Sequence, residues 1–400
     1  MPDETRRIFV VLWLSLFTAL FGMGILAPLL PTYATEMGAS GTMLGLIFAG
    51  FSLGRLITMP IVGHLSDKYG RKGFIALGLG VQVVAAVAFL AASSPTHLMI
   101  IRIFQGIAGA TVIPISMAMV GEISPKGKES TYMGYFTVAL FTGFGLGPLV
   151  SGFVRDYISM DANFILLGLL CFAAFVALLL FLPAKYHVEN PRSQIVVPYR
   201  KLAQNRVLRA MFFYRVATSF GRGVVAAFFP LYGEMNAGLT ASLVGVVISA
   251  NILATAALQP FFGRLADRVG RRQLIIAGLI LQAIPIFIMP FLNSFWPLLL
   301  LNVWMGAAGA VSLPAASGLI TQQGKKGGMG GSMAIFNIGM SVGLGSGPVI
   351  GGLVSDSVGF TGTFILGGMV VLLGLIPILR MRTADSEPCE GLDCAEEAAF

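Results

Sequence analysis

This sequence is short of charge, histidine and cysteine. Charged residues make up 11% of its 400 positions, where soluble domains carry about a quarter. That scarcity beside 56% hydrophobic residues excludes an ordinary soluble enzyme. The histidines, His64, His97 and His187, lie in loops or at the ends of apolar runs. No metal-spaced cluster, Ser-His-Asp arrangement, nucleotide loop or dinucleotide fingerprint is present, so neither metal nor cofactor is expected. ATP-driven work would need a separate chain. Cys171 falls in an apolar run and reads as a packing residue. Cys389 and Cys394 lie in an acidic tail, where two thiols alone make a weak metal site. The most telling shortage is in the apolar runs themselves, whose middles contain no Asp, Glu or His.

Those runs dominate what is present. Segments of roughly 20 apolar residues, each able to cross a hydrocarbon core of about 30 Å, recur along the chain. Twelve helical spans are expected at 8–30, 42–62, 74–92, 97–121, 132–153, 163–182, 209–231, 240–262, 274–293, 296–320, 330–353 and 361–380. The first follows Arg6 and Arg7 but is too long for a signal peptide and lacks a small-residue cleavage site. The fold class is therefore an all-α polytopic membrane protein. Residues 1–182 and 209–382 form two six-helix bundles, joined by a linker at 183–208 and followed by an acidic, disordered tail at 383–400.

The net charge of +8 is explained by topology rather than by nucleic acid. Arg55, Arg102, Arg215 and Arg222 lie inside spans, and Arg155 is the lone basic residue of the odd-to-even loops. All other Lys and Arg fall at the N-terminus, in the even-to-odd loops or in the tail. Cytoplasmic loops carry the excess of Lys and Arg, so both termini are placed in the cytoplasm of a cell whose cytoplasmic membrane holds the chain.

The two bundles repeat one another. GHLSDKYGRK at Gly63–Lys72 returns as GRLADRVGRR at Gly263–Arg272, and the same spacing of 200 holds on both sides. Gly45, Pro60, Gln82, Gly106, Gly109 and Pro114 match Gly245, Pro260, Gln282, Gly306, Gly309 and Pro314. Gly143, Gly147, Pro148, Gly152 and Asp156 match Gly343, Gly347, Pro348, Gly352 and Asp356. In the turn, Gly63 allows close helix approach and Gly70 suits a backbone that other residues resist. Asp67 can cap the next helix or pair with a base, and Arg71 and Lys72 can pair with carboxylates at other helix ends.

The turn resembles the loop 2–3 signature of the major facilitator superfamily, G-x-L-[SA]-D-[RK]-x-G-R-[RK]. Gly63, Asp67, Gly70 and Arg71 fill its places, and Gly263, Asp267, Gly270 and Arg271 fill them again. The resemblance covers residues 1–382 and implies alternating access by rocking of the two halves. It also implies that Glu122, at the end of span 4, joins Asp67 and Arg71 in a charge network holding one conformation. Ordinary solvated loop charges are the other reading. Arg102-x-x-Gln105-Gly106 resembles the span 4 motif whose arginine is associated with proton coupling in exporters, with Asn302 at the matching place. Gly143-x3-Gly147-Pro148-x2-Ser151-Gly152 resembles the span 5 motif of drug:proton antiporters, with Ser151 in place of a usual glycine. The second copy, Gly343, Gly347, Pro348 and Gly352, also fits generic small-residue packing.

Arg222, near the middle of span 7, is the most costly charge in the chain, on the order of 2.5–3.5 kcal/mol at a bilayer centre. It is read as lining a central cavity, with a structural carbonyl clamp as the alternative. Arg55 and Arg215 lie near enough to the inner surface to snorkel. Asn251, Asn302, Trp304 and Asn337 complete the cavity candidates, although buried amides often merely bond across helices. Efflux of a small organic solute coupled to an ion gradient, of the multidrug or metabolite antiporter type, is the favoured reading. Protons would then load at Glu122 or arrive with the substrate. An organic-anion carrier using Arg222 and Arg102 is the alternative, and a non-transporting sensor a remote one. The expected partners are a small-molecule substrate, protons and the lipid bilayer, with the chain acting as a monomer.

Overall fold

The computed structural model describes residues 3–124, 129–182, 205–266, 268–327 and 329–381. Among them the chain is helical throughout. The helices are α1 (Asp3–Glu36), α2 (Gly41–Tyr69), α3 (Arg71–Leu90), α4 (Pro95–Ile123), α5 (Glu129–Tyr157), α6 (Met160–Phe181), α7 (Arg206–Met235), α8 (Ala241–Ala266), α9 (Arg271–Ile288), α10 (Phe295–Gly327), α11 (Met329–Leu373) and the short α12 (Leu375–Leu379). Gly359, at φ 80° and ψ −172°, interrupts α11, so that it holds two spans on either side of this residue. Ten stretches are long and apolar enough to cross a membrane, the last of which, Gly331–Leu379, contains that interruption. Helix α7 is not among them because Arg206, Arg209, Arg215 and Arg222 dilute its apolar surface.

Side-chain oxygens start several helices. Ser40, Ser94 and Ser159 accept the backbone N–H groups of Met43, His97 and Ala162 at the starts of α2, α4 and α6 respectively. Asn205 accepts from Val207 and Leu208, satisfying donors that a helix start leaves without partners. The helix therefore begins three residues before the expected span 7, and positions 206–208 belong to it rather than to the linker. Residues 183–204 and the tail from 382 lie outside the described residues.

Short turns make consecutive helices antiparallel, giving the molecule two ends. One, here the basic end, carries the Gly63 and Gly263 turns; the other is the far end. The halves meet through α2 packed along α11 and α5 packed along α8. At the far end these helices nearly touch backbone to backbone. Gly45 lies against the carbonyl of Pro348, and Gly245 against that of Pro148. A Cβ at either glycine would collide with main chain, which cannot yield as a side-chain tip can.

The buried core divides unevenly. One cluster joins the second half to the far-end part of the first, including Leu30, Phe89, Leu98 and Phe164. The basic-end core of the first half, around Leu12, Leu79 and Phe136, stands apart from it. Packing is thus continuous across the halves at the far end and separate at the basic end.

Candidate functional site

The arginines inside the spans fall into two environments. Arg102 on α4 is 9% exposed, and its Nη1 donates to Gln105 Oε1 at 3.1 Å. Gln105 Nε2 in turn donates to Gln82 Oε1 on α3 at 3.0 Å. The Arg102 guanidinium also lies 4.5 Å from the centre of the Phe51 ring on α2, near enough for cation–π attraction. This arginine joins three helices of one half.

Arg222 differs. It lies roughly 24 Å along α7 from Arg206, at about 1.5 Å per residue. Its Nη2 rests over Gly309 on α10, beside Thr255 of α8. It is partly exposed, and no hydrogen bond or ion pair engages it among the described residues. Gly309 makes room for the guanidinium, because a Cβ there would stand 2.5 Å from Nη2. Thr255 Oγ1 is committed elsewhere, donating toward the Gly306 and Asn251 carbonyls.

Two further arginines extend this positive region across the halves. Arg215, two helical turns from Arg222, is close enough to feel the charges of both Arg222 and Arg55. Arg55 comes from α2 of the first half and Arg215 from α7 of the second. Neither behaves as a simple snorkelling residue. The Nε of each is closed off without a partner, while the Arg215 guanidinium lies 4.8 Å from the Phe336 ring centre and approaches Met340 Sδ at 2.9 Å. The helices crowd around these side chains and hold them inside the protein. Among the described residues no carboxylate offsets the group, and every Asp and Glu of the sequence lies at a span end, in a loop or in the tail.

The other cavity candidates separate. Asn251 Nδ2 donates to the Asn302 carbonyl at 2.8 Å, joining α8 to α10. Asn302 is 1% exposed and donates to Leu298 O within its own helix, and Asn337 likewise donates to Met333 O. Trp304 lies in the exposed stripe Trp296, Leu300 and Trp304, spaced by four residues, so its ring belongs to the outer face of α10 rather than to a cavity. Cys171 is buried and free, as a packing residue would be.

At the far end the two halves are clasped by a repeated device that the sequence hid. Asp156, near the end of α5, accepts hydrogen bonds from the Ala241 and Ser242 N–H groups at 3.2 and 2.7 Å, at the start of α8. Its counterpart Asp356 accepts from Gly41 N, Thr42 N and Thr42 Oγ1 at 2.7, 2.9 and 2.6 Å, at the start of α2. Each carboxylate caps a helix of the opposite half, where the N–H groups are without intrahelical partners and the helix dipole favours negative charge. Arg155, beside Asp156, bridges Glu234 of α7 and reaches Glu36 at 3.6 Å. Thr32 Oγ1 also donates to Glu234 at 3.3 Å. The sequence signal was the matched pair Asp156/Asp356 together with the lone basic residue Arg155. Glu36 is thereby drawn into this cluster.

The basic-end turns differ between copies. Gly70 has φ 94°, and its N–H bonds Ser66 O at 3.1 Å; Gly270 sits at φ −51°, open to any residue. Lys72 Nζ donates to the Leu179 and Leu182 carbonyls, and Arg272 donates to those of Ile378 and Leu379. Both bases therefore meet carbonyls at helix C-termini, and for Lys72 these stand where a carboxylate was the expected partner. Arg271 donates to Gln322 at 3.2 Å and packs over Gly318. The side chains of Asp67 and Glu122, and residue Asp267 entirely, lie outside the described residues, so the expected charge network does too.

In the span 5 motif, Gly143 and Gly147 face α1 at Phe17 and Gly24, and Gly343 and Gly347 face α7 at Val216 and Phe220. Gly152 and Gly352 face the far-end starts of α8 and α2. Ser151, where a glycine is usual, donates to Ile25 O at 2.9 Å.

Several proteins similar to this chain are named as transporters. An uncharacterized MFS-type transporter of Methanocaldococcus jannaschii is 28% identical, covering 96% of this chain and all of that one. Multidrug resistance protein 1 of Bacillus subtilis is 29% identical over 88% of this chain and 91% of its own. A bacterial homologue of the human lysosomal transporter Spinster, solved in an inward-facing and occupied conformation, shares the fold at a TM-score of 0.82 and 12% identity, covering 97% and 99% of the two chains. The Major Facilitator Superfamily profile matches residues 12–240 and 211–391, and the chain belongs to that family of membrane transporters, which are not enzymes.

Proposed function

We propose that this transporter exports small amphipathic organic solutes carrying negative charge, by alternating access between its two halves. The observation that carries the reading is Arg222, an interior arginine that lies over Gly309 with no hydrogen bond or ion pair among the described residues. Interior charges face cavities or partners, and an anionic solute would supply the missing partner. Arg102 is already engaged within its own half and is assigned a packing role. Export is supported by the span 5 pattern and by relatives named as multidrug resistance proteins. Placing the basic end in the cytoplasm rests on the loop distribution of Lys and Arg. The far-end clasp would then be the closed outer gate of an inward-facing state.

The turn residues Asp67, Arg71 and Glu122 would form the opposing inner latch, and a proton or the solute's own ionisation would couple the cycle. Proteoliposome counterflow with a panel of organic anions, cations and neutral amphiphiles, with and without a pH gradient, tests this reading. Saturable counterflow of anions is expected. Counterflow confined to cations would overturn the anion assignment while leaving the transporter intact.

A further inference from the structure

The second half carries a groove beside its first helix. It has a volume of about 800 Å³ and lies at the basic end between α7 and α12. Its origin is local. The last span breaks at Gly374 and restarts as Leu375–Leu379, with Pro377 inside the restart. The corresponding helix of the first half, α6, runs unbroken to Phe181, with Ala174 and Ala177 at those positions. There Arg7 covers the Phe181 ring at 4.6 Å. A glycine and a proline thus break in one half a helix that runs on in the other.

The groove has two chemistries. Its wall is apolar, with Phe213, Leu373 and Ile376 remaining 49%, 59% and 45% exposed. Its rim carries Arg206, Arg209 and Arg380, all exposed. None of the three has a hydrogen bond or ion pair among the described residues. Arg206 and Arg209, three apart on α7, project from one face. A basic rim beside an exposed apolar wall, at one end of membrane helices, matches a molecule with an anionic head and a hydrocarbon body. A free phosphate would leave the wall without a purpose.

We propose that this groove binds an anionic phospholipid, with the phosphate held by Arg206, Arg209 and Arg380 and an acyl chain lying along Phe213, Leu373 and Ile376. Basic pockets beside membrane helices hold anionic headgroups in this way, and each nearby base contributes about a five- to tenfold gain in binding. The site stands apart from the solute site at Arg222, and its test does not depend on transport.

The full chain would be purified in a neutral detergent and titrated with phosphatidylglycerol or phosphatidylcholine, with bound lipid counted by native mass spectrometry. Phosphatidylglycerol should be retained at least tenfold more strongly. The triple variant R206Q/R209Q/R380Q should weaken phosphatidylglycerol retention by a factor of about 100 and abolish the preference, and Ile376→Trp, which fills the groove with every arginine present, should also weaken retention. Equal retention of the two lipids, or a preference unaffected by the triple variant, overturns the proposal. Full competition by millimolar glycerol phosphate would reassign the rim to a soluble anion. Phosphatidylglycerol binding that appears only after truncation at Arg382 would assign the groove to the chain's own acidic tail, which contains Asp385, Glu387 and Glu390.

Discussion

Each half of this transporter has an arginine deep in its helices, and the two are used in opposite ways. Arg102 belongs to a chain of side chains through Gln105 and Gln82 and lies against Phe51. Its counterpart Asn302 carries no charge, and Met305 replaces Gln105, so of that network only the glutamine at Gln282 survives in the second half. Arg222 has the reverse history. Its counterpart is Gly22, tucked against Leu167, and the guanidinium projects over Gly309 without a partner. A buried charge with partners stabilises helix packing, whereas one without partners is costly until something binds it. The duplicated scaffold thus keeps its helices in register while placing its charges asymmetrically.

Substitutions can break this contrast. Arg222→Gln should produce the largest effect, a loss of anion counterflow of 30-fold or more with the amount of folded protein unchanged. Preserved counterflow would remove Arg222 from the solute site. Arg102→Ala should do the opposite, lowering stability by about 2 kcal/mol through loss of a charge-assisted hydrogen bond and a ring contact. Thermal denaturation in detergent reads that change, and the apparent KM should stay where it was.

The clasp gives a milder test, because its two caps are equivalent by the repeat. Asp156→Ala or Asp356→Ala should each shift the balance toward an open far end by about 0.5–1 kcal/mol, as the loss of an exposed helix cap does. The double variant should approach a tenfold change in labelling of a cysteine placed at Ser242. Unequal single effects would mean that the halves are not mechanically equivalent. Asp67→Asn is expected to slow turnover by several-fold while leaving insertion intact, and an unchanged rate would argue against an inner latch there. Trp304→Leu, on the exposed stripe of α10, should alter transport and stability least, within about 0.5 kcal/mol.

Much of the architecture was legible because membrane insertion imposes its own grammar. Long apolar runs, the basic loops and the spacing of 200 between matched glycines and prolines give the helices and the two halves directly. The proposed solute site stood out in the sequence only through the cost of an interior charge at Arg222. Trp304 was misplaced because a large amphipathic ring has the same letter on either face of a helix, and only the rotation of α10 distinguishes them. Arg55 and Arg215 looked like snorkelling residues because sequence depth does not reveal which neighbours crowd the side chain.

By itself, the sequence determined that this chain is a duplicated bundle of membrane helices with no interior carboxylate. Hydrocarbon leaves the backbone few alternatives to helix. Only the tertiary structure decided which arginine has partners, and that Asp156 and Asp356 cap helices of the opposite half. Those contacts join residues 85 to 315 positions apart, and no local pattern records them. They depend on how two packed halves meet, which is settled by helix rotation and close approach rather than by composition.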